Sequence, residues 1–451
     1  MIKENIKTTV LIILVLLSLF LTFQLWYGKK PAELIEEDAY ESVEMESPRS
    51  LEQIVTPETI ALRVEGGFYL FREGNPQYYI LWEALSPLLL QLEQEDLSEV
   101  EVDVFTLTKT ALLACLFDPD LPVGDEAKLL TDLNGTQLST FAVLMNGETP
   151  SIVLIESEQQ RAYRAEFSEA DSLALAELLQ SIGDTEHTLY RILSTELLRS
   201  AFSENLEIKK VIYVPSGELA VERLKVRPET LDRDKLLKTF FVDYTLARTI
   251  EEKGGAMIYT DGERGLRITD QGLEYSHPRL EEGQINQTFS EAIYKCGSLL
   301  SFHGGWPTGL RLESIRLSAI NWTETYDAQW RMYFNGYPVF TAKPTRILFN
   351  DRGLIHYSRS IYNSQALEQE ELESKIVADW QAALRSALAV YVQEINQTAS
   401  TYQLEALSPG YAIMASFDGF IAEPIWHVRL NGYNLILKAD NLTPINWEEL
   451  Q

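Results

Sequence analysis

The first apolar segment of the chain is long enough to cross a membrane. Residues 8–27, TTVLIILVLLSLFLTFQLWY, contain neither a charge nor a proline over 20 positions. A helix of that length spans about 30 Å, which matches the thickness of a bilayer core. A cleaved signal peptide would have a shorter apolar region followed by a small-x-small site, whereas this sequence continues into Gly28 and two lysines. The pattern predicts an uncleaved transmembrane helix with Trp26 and Tyr27 at the membrane interface.

The predicted topology follows from the lengths on either side of that helix. Two lysines precede the apolar run and two follow it, so the positive-inside rule does not decide the orientation. Residues 1–7 are too few to fold, and we therefore expect a cytoplasmic stub and an extracytoplasmic remainder at the cell membrane.

One side of the predicted helix is a candidate contact for another transmembrane helix. Its residues repeat at heptad spacing and include hydroxyls that can bond between helices: Leu11, Leu14, Ser18, Leu21 and Leu25, with Thr22 one turn beyond Ser18. The alternative is that the two hydroxyls bond to carbonyls of their own helix.

The segment after the anchor divides into a linker and a first domain. Residues 28–55 are acidic and poor in apolar residues, which predicts a tether or a loosely packed helix, with a solvated linker favoured. Residues 56–205 predict a mixed α and β domain, in which apolar and polar residues alternate as in strands or recur at helical spacing. The strand-like runs are 58–71 and 101–107, the helical runs are 78–95 and 168–182, and Asn146-Gly147 joins two further β-rich runs in a predicted hairpin.

The middle of the chain, residues 206–281, predicts a smaller unit. Strand-like runs precede an amphipathic helix at 232–243, and two more strands with Asp-Gly and Gln-Gly turns follow it. The predicted order is ββαββ.

The remaining region, residues 282–451, contains an internal repeat. The pattern Trp-x4-Asn-Gly-Tyr occurs twice, 96 residues apart, and each copy follows a helical run and lies in a strand-turn-strand context. We therefore predict two copies of one helix-on-sheet unit, 282–362 and 366–451. The motif aromatics are either core fillers between the layers or the lining of a ligand groove. The motif residues are Trp330, Asn335, Gly336 and Tyr337, then Trp426, Asn431, Gly432 and Tyr433.

Composition and charge exclude several classes of function. With 38 basic and 67 acidic residues, the net charge of −29 repels nucleic acid. Two distant cysteines, Cys115 and Cys296, exclude a disulfide scaffold, an iron-sulfur cluster and a structural zinc site of the usual spacing. The sequence contains no His-Glu-x-x-His, Gly-x-Ser-x-Gly or Gly-x-Gly-x-x-Gly motif. We therefore predict no catalytic, metal-ligating or cofactor-binding residue, no cofactor and no small-molecule substrate.

Two segments resemble the YycH family, membrane-anchored regulators of the essential cell-wall two-component system of low-GC Gram-positive bacteria. They are KENIKTTVLIILVLLSLFLTFQLW at the N-terminus and YTDGERGLRITDQGLEYSHP in the middle. The resemblance implies an α+β fold: one transmembrane helix, then a three-part extracytoplasmic region of antiparallel sheets packed with helices, whose C-terminal part is YycI-like. It also implies a non-enzymatic protein that acts with YycI on the sensor histidine kinase WalK.

Two other classes of function remain as alternatives. The repeated aromatic motif is compatible with a membrane-tethered binding module for a cell-wall fragment or peptide, which requires a pocket lined by exposed Trp330 or Trp426. A hydrolase would require a cleft with convergent carboxylates or a Ser/His pair.

Overall fold

The structure describes only part of the predicted transmembrane helix. A computed structural model describes residues 14–15, 17–18, 48–90, 92, 97–117, 138–145, 150–156, 161–183, 187–229, 231–278, 287–320, 323–340, 344–368, 374–394, 399–417 and 419–449. Among these residues, no helix combines the length and the apolar character needed to cross a membrane. Leu14 and Ser18 are helical and exposed. The other predicted membrane residues lie outside the described residues: Leu11, Leu21, Thr22, Leu25, Trp26, Tyr27 and the stub 1–7.

The first large element is a nine-stranded antiparallel sheet, which we call the N-terminal sheet. Its strand order is β10-β8-β2-β1-β4-β5-β6-β7-β3. Its strands are β1 Thr59–Val64, β2 Gly67–Phe71, β3 Ser98–Val100, β4 Leu113–Leu116, β5 Leu138–Leu144, β6 Ser151–Glu156, β7 Ala162–Glu166, β8 Tyr190–Ile192 and β10 Tyr213–Pro215. The helices of this region are α1 Leu51–Ile54, α2 Pro76–Leu90, α3 Val104–Thr110, α4 Glu169–Gly183 and α5 Thr195–Ala201.

The second large element is a 16-stranded sheet built from the rest of the chain. Its first strands and the nearby helices are β9 Leu206–Ile208, β12 Leu224–Pro228, α6 Arg233–Phe240, a short 3₁₀ helix Tyr244–Leu246, β13 Arg248–Glu251, β14 Met257–Thr260, β15 Gly265–Ile268, β16 Gly272–Ser276 and α7 Phe289–Phe302. The later elements are β17 Leu310–Ile320, β18 Thr323–Phe334, β19 Tyr337–Phe340, β20 Thr345–Asn350, β21 Gly353–Ser360, β22 Tyr362–Glu368, α8 Trp380–Glu394, β24 Tyr402–Ser416, β25 Gly419–Leu430, β26 Tyr433–Lys438 and β27 Pro444–Glu449. A separate two-stranded sheet joins β11 Leu219–Glu222 to β23 Ser374–Val377.

The fold is α+β with antiparallel sheets, as predicted, but two parallel pairings occur at one strand. In the described residues, β9 and β19 both pair in parallel with β24, and every other pair is antiparallel. The main path of the sheet runs β13-β14-β15-β16-β21-β20-β18-β19-β24-β25-β12-β22. Strand β17 pairs with β18, and β26 joins β25 to β27.

The middle region differs from the predicted ββαββ order. Four strands, β13 to β16, follow α6, and the strands before it join different sheets. Strand β10 belongs to the N-terminal sheet, β12 pairs with β25, and β16 pairs with β21. Local periodicity could not indicate these partners, because they lie far away along the chain. The domain boundaries at residues 206 and 282 remain predictions.

Two local predictions are wrong for identifiable reasons. Residues 101–107 alternate like a strand, yet α3 begins within them, because the Asp103 carboxylate accepts a hydrogen bond from the Thr106 amide at 2.9 Å and caps the helix. The predicted linker 28–55 ends too late. Residues 51–54 form α1, and Ile54 and Val55 are buried in the core.

Candidate functional site

The repeat predicted from the sequence occupies the same position in two successive units. We call α7, β17, β18 and β19 the first repeat, and α8, β24, β25 and β26 the second repeat. Each consists of a helix, a long hairpin and then a tight turn. Asn335 and Asn431 both have φ of 49°, and the glycines that follow have φ of 81° and 79°. These positive angles define a type I′ turn, which Asn-Gly tolerates best. A common origin of the two repeats remains a prediction.

The motif tryptophans belong to the core rather than to a groove. Trp330 is 2% exposed and Trp426 is 1% exposed. The motif tyrosines are half-buried and contact other rings: Tyr337 packs edge-on against Tyr411, and Tyr433 against Tyr391. The aromatic residues of the repeat therefore hold helix and sheet together.

The two repeats differ in the partners of these residues. Trp426 Nε1 donates to the Ala378 carbonyl at 2.9 Å, whereas Trp330 Nε1 has no hydrogen-bond partner among the described residues. Asn431 accepts from the Gln403 amide at 2.7 Å and donates to Tyr391 Oη at 3.1 Å, both within the second repeat.

The turn of the first repeat instead lies against the N-terminal region. A Cβ added at Gly336 would lie 3.8 Å from Asn75 Cβ, and one added at Gly74 would lie 3.1 Å from the Tyr333 carbonyl oxygen. Gly74 has φ of +83°. The Asn-Gly turn of the first repeat is thus part of the contact between the two regions of the molecule.

The outer edges of the long hairpins also differ. In the second repeat, the outer edge of β24 pairs with β9 and β19. In the described part of the chain, β17 pairs with β18 alone. Leu317 on β17 is 47% exposed, and Phe289 at the start of α7 is 37% exposed. This edge is the candidate protein-contact surface of the C-terminal region.

A cluster of charges lies where the N-terminal region meets the first repeat. Burial alone would raise the pKa of Glu58, but Lys210, Arg311 and further arginines lower it to about 2. Glu313 makes two hydrogen bonds of 2.9 Å with Arg331, which lowers its pKa against the opposing effect of burial. These charges pair the two regions electrostatically. No local pattern predicts this pairing, because the partners come from separate segments of the chain.

The pKa of a third carboxylate at this junction, that of Glu73, is shifted in the opposite direction. Glu73 is 5% exposed, and burial raises its pKa even though it accepts a hydrogen bond from Tyr79 Oη at 2.5 Å. Arg311 and Arg49 act in the opposite direction. The junction therefore contains two carboxylates held in their charged form, Glu58 and Glu313, and one, Glu73, shifted toward its neutral form.

The described residues contain few groups suited to catalysis. No three His, Cys, Asp or Glu residues among them are placed to hold a metal ion. Cys115 and Cys296 are buried free thiols. Burial lowers the pKa of His303 to about 3 and that of His427 to about 4. His303 stacks on Phe240 with ring centroids 4.3 Å apart, inside the core.

Comparison with known proteins identifies similar sequences and one similar fold. Residues 4–138 match the family described as YycH protein, N-terminal domain, and residues 209–439 match YycH protein, C-terminal domain. The two-component system WalR/WalK regulatory protein YycH of Bacillus subtilis (strain 168) is 20% identical over 468 residues, covering 98% of this chain and 97% of the relative. The crystal structure of YycH from Bacillus subtilis superposes with a TM-score of 0.60 at 12% identity, covering 89% of this chain and 98% of that chain.

Proposed function

Because the chain belongs to the YycH family, we propose that it is a non-enzymatic, membrane-anchored regulator of the WalK/WalR two-component system. The observation that carries this proposal is the match to both YycH domain families together with a relative, named as a WalR/WalK regulatory protein, that aligns over nearly the full length of both chains.

The chemistry of the described residues supports a regulatory rather than a catalytic role. Their titratable groups with large pKa shifts, such as Glu58 and His303, lie in the core or at the junction. An enzyme places such groups in a cleft that a substrate can reach. Here the side chains around these groups pair with their charges or pack against them in the core. These are structural roles, as we expect in a protein that works by binding other proteins.

The membrane part of the proposal comes from the sequence. The apolar run 8–27 would anchor the protein with its N-terminus in the cytoplasm and the two sheets outside, where it would act together with YycI on the sensor kinase WalK. In lipid, helices associate through close packing and polar contacts, each hydrogen bond contributing only about 0.6 kcal/mol. We propose that the stripe carrying Leu14, Ser18 and Thr22 makes such contacts, with no single residue dominating.

An anchor exchange in the full-length protein tests this function. Residues 8–27 are replaced by an unrelated 20-residue apolar span of the same orientation, and the output of the WalK/WalR system is read from a reporter gene at equal protein level. We expect the exchange to weaken regulation, and Ser18→Leu with Thr22→Leu to weaken it less. Thr9→Leu, on the opposite side of the predicted helix from the stripe, is the control and should have no effect.

Two results would count against parts of the proposal. Full regulation with the unrelated span would move recognition to the outer surface. An unchanged reporter after deletion of the whole gene would remove the regulatory role itself. The binding-module alternative has lost its main support, because both motif tryptophans are buried.

A further inference from the structure

Residues 49–57, which we call the strap, lie between the two regions of the molecule. They directly follow the acidic linker and precede β1. Ile54 is 1% exposed and Val55 is not exposed at all. Helix α1 within the strap has only four residues, too few to be stable alone. The order of the strap therefore depends on what it packs against.

One side of the strap is bound to α2 of the N-terminal region. Trp82 Nε1 donates to the Glu52 carbonyl at 3.0 Å, and Tyr78 Oη donates to the Pro57 carbonyl at 2.6 Å. Tyr78 is completely buried and Trp82 is 6% exposed. Two aromatic side chains thus hold the backbone of the strap, one near its middle and one at its C-terminal end.

The other side of the strap is bound to α7 of the first repeat. A Cβ added at Gly297 would lie only 2.5 Å from Ile54 Cδ1, so a glycine in the middle of α7 is what admits Ile54. A glycine inside a helix destabilises it relative to alanine. The Arg49 guanidinium lies 4.4 Å from the centre of the Trp306 ring, which follows α7.

We propose that the strap is a latch that couples the predicted membrane tether to the junction between the N-terminal region and the first repeat. Seated, it fills the space between α2 and α7 and holds the two together. Withdrawn, it leaves the faces of both helices without their apolar partner. Because the strap connects the predicted linker to β1 along the chain, a displacement of the anchor relative to the outer region acts on it. The coupling to the tether rests on the proposed function, whereas the latch itself rests on the packing alone.

Size complementation at one contact tests the latch. Gly297→Ala places a methyl group against Ile54 Cδ1 and should unseat the strap, whereas Gly297→Ala combined with Ile54→Val removes that one clashing methyl and should reseat it. Gly183→Ala is the matched control, because a Cβ there meets no atom within 4 Å. The measurement is amide hydrogen exchange in the full-length protein in detergent.

We expect Gly297→Ala to change amide hydrogen exchange only around the strap. Gly297→Ala should speed exchange at least tenfold in residues 50–57 and in the facing turns of α2 and α7, leaving β24 to β27 unchanged, and the double variant should return toward the wild type. Faster exchange throughout both sheets, no change in the strap, or a double variant no better than Gly297→Ala would each overturn the latch.

A distance measurement tests whether the strap holds the N-terminal region and the first repeat together. Spin labels on Leu173→Cys and Tyr294→Cys, two exposed positions in α4 and α7, report the separation of the regions, since both native thiols are buried. Gly297→Ala should broaden the distance distribution, and the double variant should narrow it again. An unchanged distribution in Gly297→Ala overturns the latch. Neither measurement uses the kinase, so failure of the proposed function would appear separately, in the reporter assay alone.

Discussion

The first and the second repeat place the same Trp-x4-Asn-Gly-Tyr segment in different surroundings. In the second repeat, the tryptophan bonds to Ala378 just before α8, the asparagine finds its partners within the repeat, and the hairpin edge pairs with neighbouring strands. In the first repeat, the turn lies against Gly74 and Asn75 of the N-terminal region, and Trp330 Nε1 is without a partner among the described residues. The comparison teaches that the motif specifies a turn and a core residue, while its neighbours decide whether it supports its own unit or joins two units.

Substitution of the two motif tryptophans should give the largest difference in stability between the repeats. Trp330→Ala and Trp426→Ala each remove a fully buried ring, and such changes reduce the free energy of unfolding by about 3–5 kcal/mol. Trp426→Ala should be the more damaging, because it also leaves the partly buried Ala378 carbonyl without its donor. Urea unfolding measures both, with Trp330→Phe and Trp426→Phe as controls that keep most of the volume. Equal losses in the two Phe variants would show that the hydrogen bond does not distinguish the repeats.

Acid should weaken the contact of the first repeat in particular. The folded-state pKa of Glu58 is about 2, below its ordinary value of 4.5. Its stabilising effect is therefore complete above pH 4.5 and is lost as the pH falls from 4.5 to about 2. The thermal midpoint of Glu58→Gln should be lower than that of the wild type at pH 7 and should fall less on acidification. Glu405→Gln, in the second repeat, is the comparison variant. Parallel acid curves for the wild type and Glu58→Gln would contradict the assignment.

Substitutions in the two Asn-Gly turns should have the smallest effect on the free energy of unfolding. Asn335→Gly and Asn431→Gly keep the positive φ at no steric cost, and the entropy that glycine adds to the unfolded chain is common to both, so the difference between the two losses reports the side chains. Asn431→Gly removes two hydrogen bonds and should lower the free energy of unfolding by about 1–2 kcal/mol, whereas Asn335→Gly should change it by less than about 0.5 kcal/mol. Urea unfolding of the two variants side by side measures the difference, and a larger loss for Asn335→Gly would reverse the comparison.

Features encoded in neighbouring residues could be predicted from the sequence. The Asn-Gly turns, the burial of Trp330 and Trp426 and the helix at Glu169–Gly183 follow from turn chemistry and periodicity. Glu313 and Glu405, which stand where the register of each long hairpin shifts and which pair with Arg331 and Arg429, carry no such local signal.

Features that depend on distant segments could not be predicted. Periodicity states that a residue faces a core but not which segment completes that core, so the partners of β9 and β12 and the charge cluster around Glu58 were missed. Gly297 was the one available signal for the strap, since a glycine inside an amphipathic helix usually marks a close approach.

The parallel pairing of β9 with β24 sets an order of folding. Asn205, beside β9, donates to Thr401, which lies 196 residues further along the chain. The strands of the N-terminal sheet pair mostly with close sequence neighbours and can form while synthesis continues. Strands β9 and β12 must wait, with their edges unpaired, until the second repeat has left the ribosome. Long-range pairing of this kind slows folding and exposes strand edges to aggregation. Until the second repeat is complete, these unpaired strands therefore need protection against aggregation.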